Sequence, residues 1–201
     1  MPVSFGKDLP EEEFDNDLLG EYSGAGVIFG VTGGVMEAAL RTAYFWLTGE
    51  EYGPINFHEV RGLEAVKEAD INIKGTVVKV AVTSGMANAK PLLDQIKAGT
   101  SPYAFIEIMC CPGGCINGGG QPFVKPLFLP NEGDDILDTY RAKRASVLYS
   151  EDERLVIRQS HNNKDIQKLY KDFLGEPGSE LAEELLHTSY EADRVSYPNK
   201  K

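Results

Sequence analysis

The sequence predicts an α/β fold: a small mixed β-sheet flanked by helices, with a helical C-terminus. Three observations lead there. Apolar residues at Val35, Met36, Ala39, Leu40, Ala43 and Leu47 recur at three-to-four spacing, the mark of an amphipathic helix. Ala69, Ile71 and Ile73 alternate with polar residues, and Val77–Val82 is a nearly continuous β-branched run, which together read as a strand pair with a buried second member. Strands then alternate with helices as far as residue 109, the pattern of a layered α/β structure.

Taken in order, residues 1–22 form an acidic lead-in, with Asp8, Glu11, Glu12, Glu13, Asp15, Asp17 and Glu21 set against Lys7; a solvated segment is the plain reading. The first helix follows a glycine-rich entry and stops at Thr48-Gly49. Within it Glu37 and Arg41 form an i,i+4 pair expected on the face away from the core, while Tyr44 and Trp46 are expected in the core. Lys74-Gly75 turns the strand pair, and Gly85 closes it. Ala87–Ala98 reads as a helix whose inner face carries Leu92, Leu93 and Ile96. Tyr103–Met109 is a third strand. Beyond an extended Pro126–Pro130 loop, helices are expected at about 134–149, around Ile166–Leu174 up to Gly175 and Pro177, and around Leu181–Leu186. The folded domain is assigned to 23–190, and 191–201 to a polar tail.

Hydrophobic residues make up 42% and charged residues 25% of the 201, ordinary values for a globular protein. A net charge of −11 without a basic stripe excludes a nucleic-acid partner. Val35–Leu47 is interrupted by Glu37 and Arg41 and is too short to span a bilayer. The opening Met1-Pro-Val-Ser-Phe has neither the basic nor the apolar region of a signal peptide, so the chain is expected in the cytoplasm.

All three cysteines, Cys110, Cys111 and Cys115, fall within six residues, directly after the third strand. In a reducing compartment such a cluster points to metal rather than a disulfide. Thiolates suit iron–sulfur clusters, zinc or cuprous copper. The C-x3-C spacing of Cys111 and Cys115 is looser than a zinc knuckle, and His58, His161 and His187 are scattered, so packing or capping roles suit them better. Gly113, Gly114 and Gly118–Gly120 let backbone approach a large inorganic group closely. The competing reading is a tight turn with cysteines as small buried hydrophobes. Glu107, on the strand approaching the cysteines, is expected to make structural hydrogen bonds, with proton relay as the alternative. Gly24-Ala-Gly-Val-Ile-Phe-Gly misses the dinucleotide fingerprint by one residue and follows no strand. Its amides are expected to face some other electron-rich ligand.

Glu107-x-Met109-x-Cys111-x-x-x-Cys115-x-x-Gly-Gly-Gly-x-Pro122 resembles the third signature of the iron-only (FeFe) hydrogenases. Ser23-Gly-Ala-Gly-Val-Ile-Phe-Gly-Val-Thr-Gly-Gly-Val-Met-Glu-Ala-Ala-Leu-Arg41 resembles the segment preceding it in that family. Arg144-Ala-Ser-Val-Leu-Tyr149, Ser160-His161 and Leu185-Leu-His187 resemble its C-terminal stretch. The resemblance implies one lobe of the catalytic domain, with 23–190 as a partial H-cluster domain. It implies that Cys111 and Cys115 are two of the four ligands of a 4Fe–4S cluster, Cys115 bridging to a diiron subsite. Met109, Phe29 and Gly30 would line the diiron pocket. Cys110 stands where the family commonly has alanine and is expected to be a buried bystander.

The family's two upstream signatures, which supply the other two cluster ligands and a proton-donating cysteine, do not occur in this sequence. The expected partners are therefore an N-terminal part of the hydrogenase carrying those ligands, and an electron carrier such as ferredoxin or an NAD(P)-linked subunit. By resemblance the activity is reversible reduction of protons to H2, with the chain alone expected to be inactive, whether as a split subunit or a truncated fragment. The alternative is a non-catalytic iron–sulfur cluster-binding or assembly-scaffold protein related to the hydrogenases.

Overall fold

Strand β1 (Val66–Ile73) alternates between exposed and buried residues along its whole length, the period a half-buried strand requires. Lys67, Ala69, Ile71 and Ile73 point inward. In this computed structural model the chain reverses at Lys74-Gly75, both in the left-handed region at φ 47° and 92°, a backbone that suits a two-residue hairpin. Strand β2 (Thr76–Ser84) then runs antiparallel to β1, Ile73 facing Thr76. Helix α3 (Met86–Lys97) carries the chain to β3 (Phe105–Met109), which lies parallel to β2, giving a mixed sheet of order β1-β2-β3. The structure describes residues 20–123 and 133–188; most of the acidic lead-in, the Pro126–Pro130 loop and the polar tail lie outside them.

A one-turn helix α1 (Gly24–Val27) and a 3₁₀ turn (Ile28–Gly30) precede α2 (Gly34–Thr48). Met36 and Leu40 of α2 pack with Phe57 and Val60 on the inward face of the sheet, against Ala69, Ile71, Ile73, Val80 and Val82. This is the main core. Tyr44 packs at its edge, but Trp46 is 63% exposed, because the core stripe of α2 does not reach its position. Ile96 is likewise on the outer side of α3, leaving Leu92 as the buried anchor. Helix α4 (Gly133–Arg154) runs past the expected end at Tyr149.

The expected solvent-facing pair of α2 is the opposite of exposed. Glu37 and Arg41 are both fully buried. Arg41 forks onto Asp152 of α4 with two 2.8 Å bonds and reaches Glu37 at 2.7 Å. Arg61 and Arg158 complete the cluster. The i,i+4 spacing reads the same in water and in a core; the partner that buries it is 111 residues away.

These elements lie in the unit Tyr22–Asn163. A second unit contains Glu21 and α5 (Lys164–Leu169), a π-helical turn (Tyr170–Leu174) and α6 (Glu180–Leu186). Within it the Glu21 amide donates to Asp165, and the Ser179 hydroxyl oxygen caps α6 by accepting from the Ala182 amide.

Candidate functional site

At the end of β3 the chain enters a turn that hides its backbone and shows its thiols. Gly113, Gly114 and Ile116 are buried, whereas Cys111 and Cys115 are exposed. Gly114 donates to the Cys111 carbonyl at 2.9 Å, and Asn117 and Gly118 donate back to Gly114 and Cys115 at 3.0 Å. Ile116 is the anchor: it packs with Val31 and Ala145, and with Leu148 and Tyr149 at the margin. Arg144 of α4 holds the exit, donating to the carbonyls of Ile116 at 2.8 Å and Pro122 at 2.7 Å.

The turn is seated on the segment that follows α1. The Thr32 amide donates to the Gly113 carbonyl at 3.0 Å. A Cβ at Gly114, whose φ is 93°, would come within 2.8 Å of the Gly30 carbonyl oxygen and of the Thr32 nitrogen. Met109, at the end of β3, receives the Thr32 hydroxyl on its sulfur at 3.8 Å. Met109 and Gly30 are therefore neighbours of the cysteine turn through Thr32 and Gly114, and Phe29 flanks Gly30 with 46% of its surface exposed. Sequence reasoning overlooked Thr32. Its signal was only a hydroxyl embedded among glycines.

Cys110 is exposed, not the buried bystander expected. It follows the last residue of β3, Met109, so the burial pattern of the strand does not extend to it. The glycine-rich entry also differs from expectation. Its Gly24 and Ala25 amides donate to the carbonyls of Ile157 and Arg158, and Gly26 donates to Ser23. At the entry to α2 the Gly34 amide donates to the Val31 carbonyl, and the Glu107 carboxylate accepts from Gly33, the residue before the helix, at 2.6 Å and from Met36 at 2.7 Å. Neither helix entry has these amides free for a ligand, and Glu107 has the structural role expected of it. Burial pushes the Glu107 carboxyl up, against the opposing pull of those two amides and of Lys67. Burial pushes the Lys67 ammonium down.

His161 stacks on Phe45 with ring centres 4.4 Å apart and bonds Thr42 and Glu51; it packs, as expected. Among the described residues no group of three or more His, Cys, Asp or Glu is placed to hold a metal ion. What the turn itself offers a metal is the exposed thiols of Cys111 and Cys115 on a backbone pinned from behind, with Cys110 exposed at the end of β3 just before it. That donor set fits half of a four-thiolate cluster.

Residues 3–119 match the family described as iron only hydrogenase large subunit, C-terminal domain, a span that includes the whole cysteine turn. The chain belongs to the iron-only hydrogenase family. Residues 138–193 match a second description, iron hydrogenase small subunit. Iron hydrogenase 1 of Clostridium pasteurianum is 45% identical over 94% of the chain and 31% of its own length. NADP-reducing hydrogenase subunit HndD of Solidesulfovibrio fructosivorans is 47% identical over 90% of the chain and 29% of its own length. The [FeFe]-hydrogenase HydA1 of Chlamydomonas reinhardtii superposes with a TM-score of 0.61 at 39% identity, covering 91% of this chain and 50% of that one. A more distant relative, the cytosolic Fe-S cluster assembly factor narfl of Danio rerio, is 31% identical over 88% of the chain. The chain thus spans about a third of the length of the curated relatives and half of that of the solved structure. The mixed sheet with flanking helices is the corresponding part of the hydrogenase fold.

Proposed function

We propose that the chain forms part of an FeFe hydrogenase that interconverts protons and electrons with H2, with residues 23–190 as a partial H-cluster domain. The observation that carries this reading is the docking of the Cys111–Cys115 turn on Gly30–Thr32, with Met109 against Thr32. A bare cysteine turn would need no such wall.

Cys111 and Cys115 would hold the 4Fe–4S cluster, with Cys115 also bridging to the diiron subsite; Phe29, Gly30 and Met109 would line the pocket of that subsite. When bound, the H-cluster supplies heterolytic formation and cleavage of H–H at iron and passage of electrons through the cubane. The chain's own part is to orient. Gly113 and Gly114 pin the turn from behind, Ile116 anchors it to α4, and Arg144 fixes its exit. Two further thiolates and the proton-donating thiol come from an N-terminal part of the hydrogenase. Electrons come from a carrier such as ferredoxin or an NAD(P)-linked subunit. The reaction takes place in the cytoplasm. No helix of the described residues is long and apolar enough to cross a membrane.

The test is assembly. The chain, a hydrogenase N-terminal half carrying the two upstream signatures, and the maturation proteins are produced together without oxygen. Hydrogen evolution from reduced viologen and the infrared bands of iron-bound carbonyl and cyanide are then measured. Both signals are expected with the two parts together, neither with the chain alone, and neither with Cys115→Ala. A complete assembly with no hydrogen and no infrared bands overturns the proposal.

The relation to the Fe-S assembly factor supports a second reading, a cluster scaffold. It calls for a stable cluster on a homodimer, two cysteines from each subunit, visible as iron and sulfide counts after anaerobic reconstitution. The pocket-wall residues Met109, Phe29 and Gly30 favour the first reading, since a scaffold has no use for them.

A further inference from the structure

Lys67 is a buried cation, 7% exposed, at the first inward position of β1. Among the described residues no ion pair is formed by it; its ammonium donates to two carbonyl oxygens, Thr32 at 3.1 Å and Gly62 at 2.9 Å. In the sheet register Lys67 faces Val82 and Val82 faces Glu107. Residues paired in this way share a face, so a cation and an anion stand in one row on either side of Val82, beneath the entry to α2. All three are buried.

The two charges grip the same peptide group. Lys67 donates to the Thr32 carbonyl, and Glu107 accepts from the Gly33 amide at 2.6 Å. These are the two ends of the single planar unit joining residues 32 and 33. With its carbonyl and amide both held by charge-assisted bonds, that plane has no freedom to rotate. Thr32 then has its remaining polar groups aimed at the site: its amide at the Gly113 carbonyl and its hydroxyl at the Met109 sulfur. Stability alone does not call for this arrangement. A buried apolar side chain would avoid the desolvation of Lys67, and a short polar N-cap would serve α2 as well as a glutamate from another strand.

We propose that Lys67 and Glu107 are positioning residues for the cysteine site. They fix the Thr32–Gly33 peptide plane, and through Thr32 they set where Met109 and the Cys111–Cys115 turn stand against the Phe29–Gly30 wall. What the site then binds rests on the hydrogenase reading; the positioning itself does not.

Two measurements on the full chain without cluster test it. One is the methyl resonance of Met109 in ¹³C-methionine-labelled protein. The other is the rate of iodoacetamide alkylation at Cys111 and Cys115 relative to Cys110, read by mass spectrometry. Lys67→Met is expected to shift the Met109 resonance and to change the Cys115:Cys110 ratio by about tenfold, the effect of losing one buried charged hydrogen bond. Trp46 fluorescence, at the far end of α2, is expected to stay as in the parent. Glu107→Gln keeps the volume and one acceptor, is expected to give the same changes, and serves if Lys67→Met does not fold. Thr32→Val, which removes only the hydroxyl, is expected to shift the Met109 resonance. If Lys67→Met and Glu107→Gln lower the unfolding midpoint but leave resonance and ratio unchanged, the residues are only structural and the proposal is overturned. In the assembled hydrogenase the variants are expected to retain iron while losing hydrogen output. A parent assembly without hydrogen would count against the proposed function and leave the thiol and methyl readings to decide this one.

Discussion

At the scale of the residue, Tyr149 isolates one burial effect. Its hydroxyl is buried and has no hydrogen-bond partner among the described residues, while its ring lies under the Arg61 guanidinium at 4.0 Å. Burial, reinforced by the negative charge of Glu37, pushes the phenol from 10.0 up to about 12. A raised folded-state value means that the neutral phenol is favoured in the fold. Its contribution is complete below the unfolded value of 10.0 and is lost as pH rises towards 12. Two units correspond to a loss of the order of 2 to 3 kcal/mol. Tyr149→Phe keeps the ring beneath Arg61 and deletes an unpaired hydroxyl, so stability at pH 7 is expected to be unchanged or higher by up to about 1 kcal/mol. The alkaline loss between pH 10 and 12 is expected to shrink. Urea midpoints at pH 7, 10 and 11.5 decide it, and a variant as alkali-sensitive as the parent removes Tyr149 as the cause.

At the scale of the element, the cysteine turn separates two kinds of glycine. Gly114 has a φ of 93° and backbone atoms within 2.8 Å of where a Cβ would stand; Gly119 has open space around it and no left-handed backbone. Gly114→Ala is therefore expected to unseat the turn from Gly30 and Thr32, at a cost of about 1 to 3 kcal/mol. Gly119→Ala is expected to fall within about 0.5 kcal/mol of the parent. Thermal unfolding with amide exchange at Thr32 reads both, and equal effects would refute the seating described here. The run of glycines was visible in the sequence, but not which of them the backbone needs, since that depends on Gly30 arriving from another element. The same holds more widely. Periodicity located α2, the β1–β2 pair, α3 and β3, because each has a local apolar pattern. It misplaced Trp46 and Ile96, whose exposure is decided by what packs opposite. Cys111, Cys115 and Met109 were legible as a motif. Thr32 and Lys67 were not, because their roles exist only once the sheet brings strand β1 under the entry to α2.

At the scale of the whole molecule, the buried charge cluster joins the part of the chain matched to the large subunit to the part matched to the small subunit. Arg41 lies in residues 3–119 and Asp152 in residues 138–193. Asp152 accepts two bonds from Arg41 at 2.8 Å and two from Arg158 at 2.5 and 3.3 Å, and Glu37 accepts from Arg41 and Arg61. Burial acts to raise the Asp152 carboxyl, but bonds from the two guanidinium groups outweigh it and hold the group below the usual aspartate range. A depressed folded-state value means that its contribution is complete above the unfolded value of about 3.9. It is lost as pH falls through the folded one. Asp152→Asn leaves the buried Arg41 and the half-buried Arg158 with one fewer negative charge, and is expected to cost about 3 to 5 kcal/mol. Arg41→Met should cost a similar amount by leaving the buried Glu37 and Asp152 with only Arg61 and Arg158, respectively, to pair them. Because the two side chains share one network, their effects are expected to fall short of additive by 1 kcal/mol or more in a double-mutant cycle. Urea unfolding of the four proteins at pH 7, repeated at pH 3, provides the cycle and its acid dependence. Strict additivity would mean that the fork between α2 and α4 contributes nothing of its own. In that case the apolar contact of Val31, Ile116 and Ala145 would have to hold α4 in place.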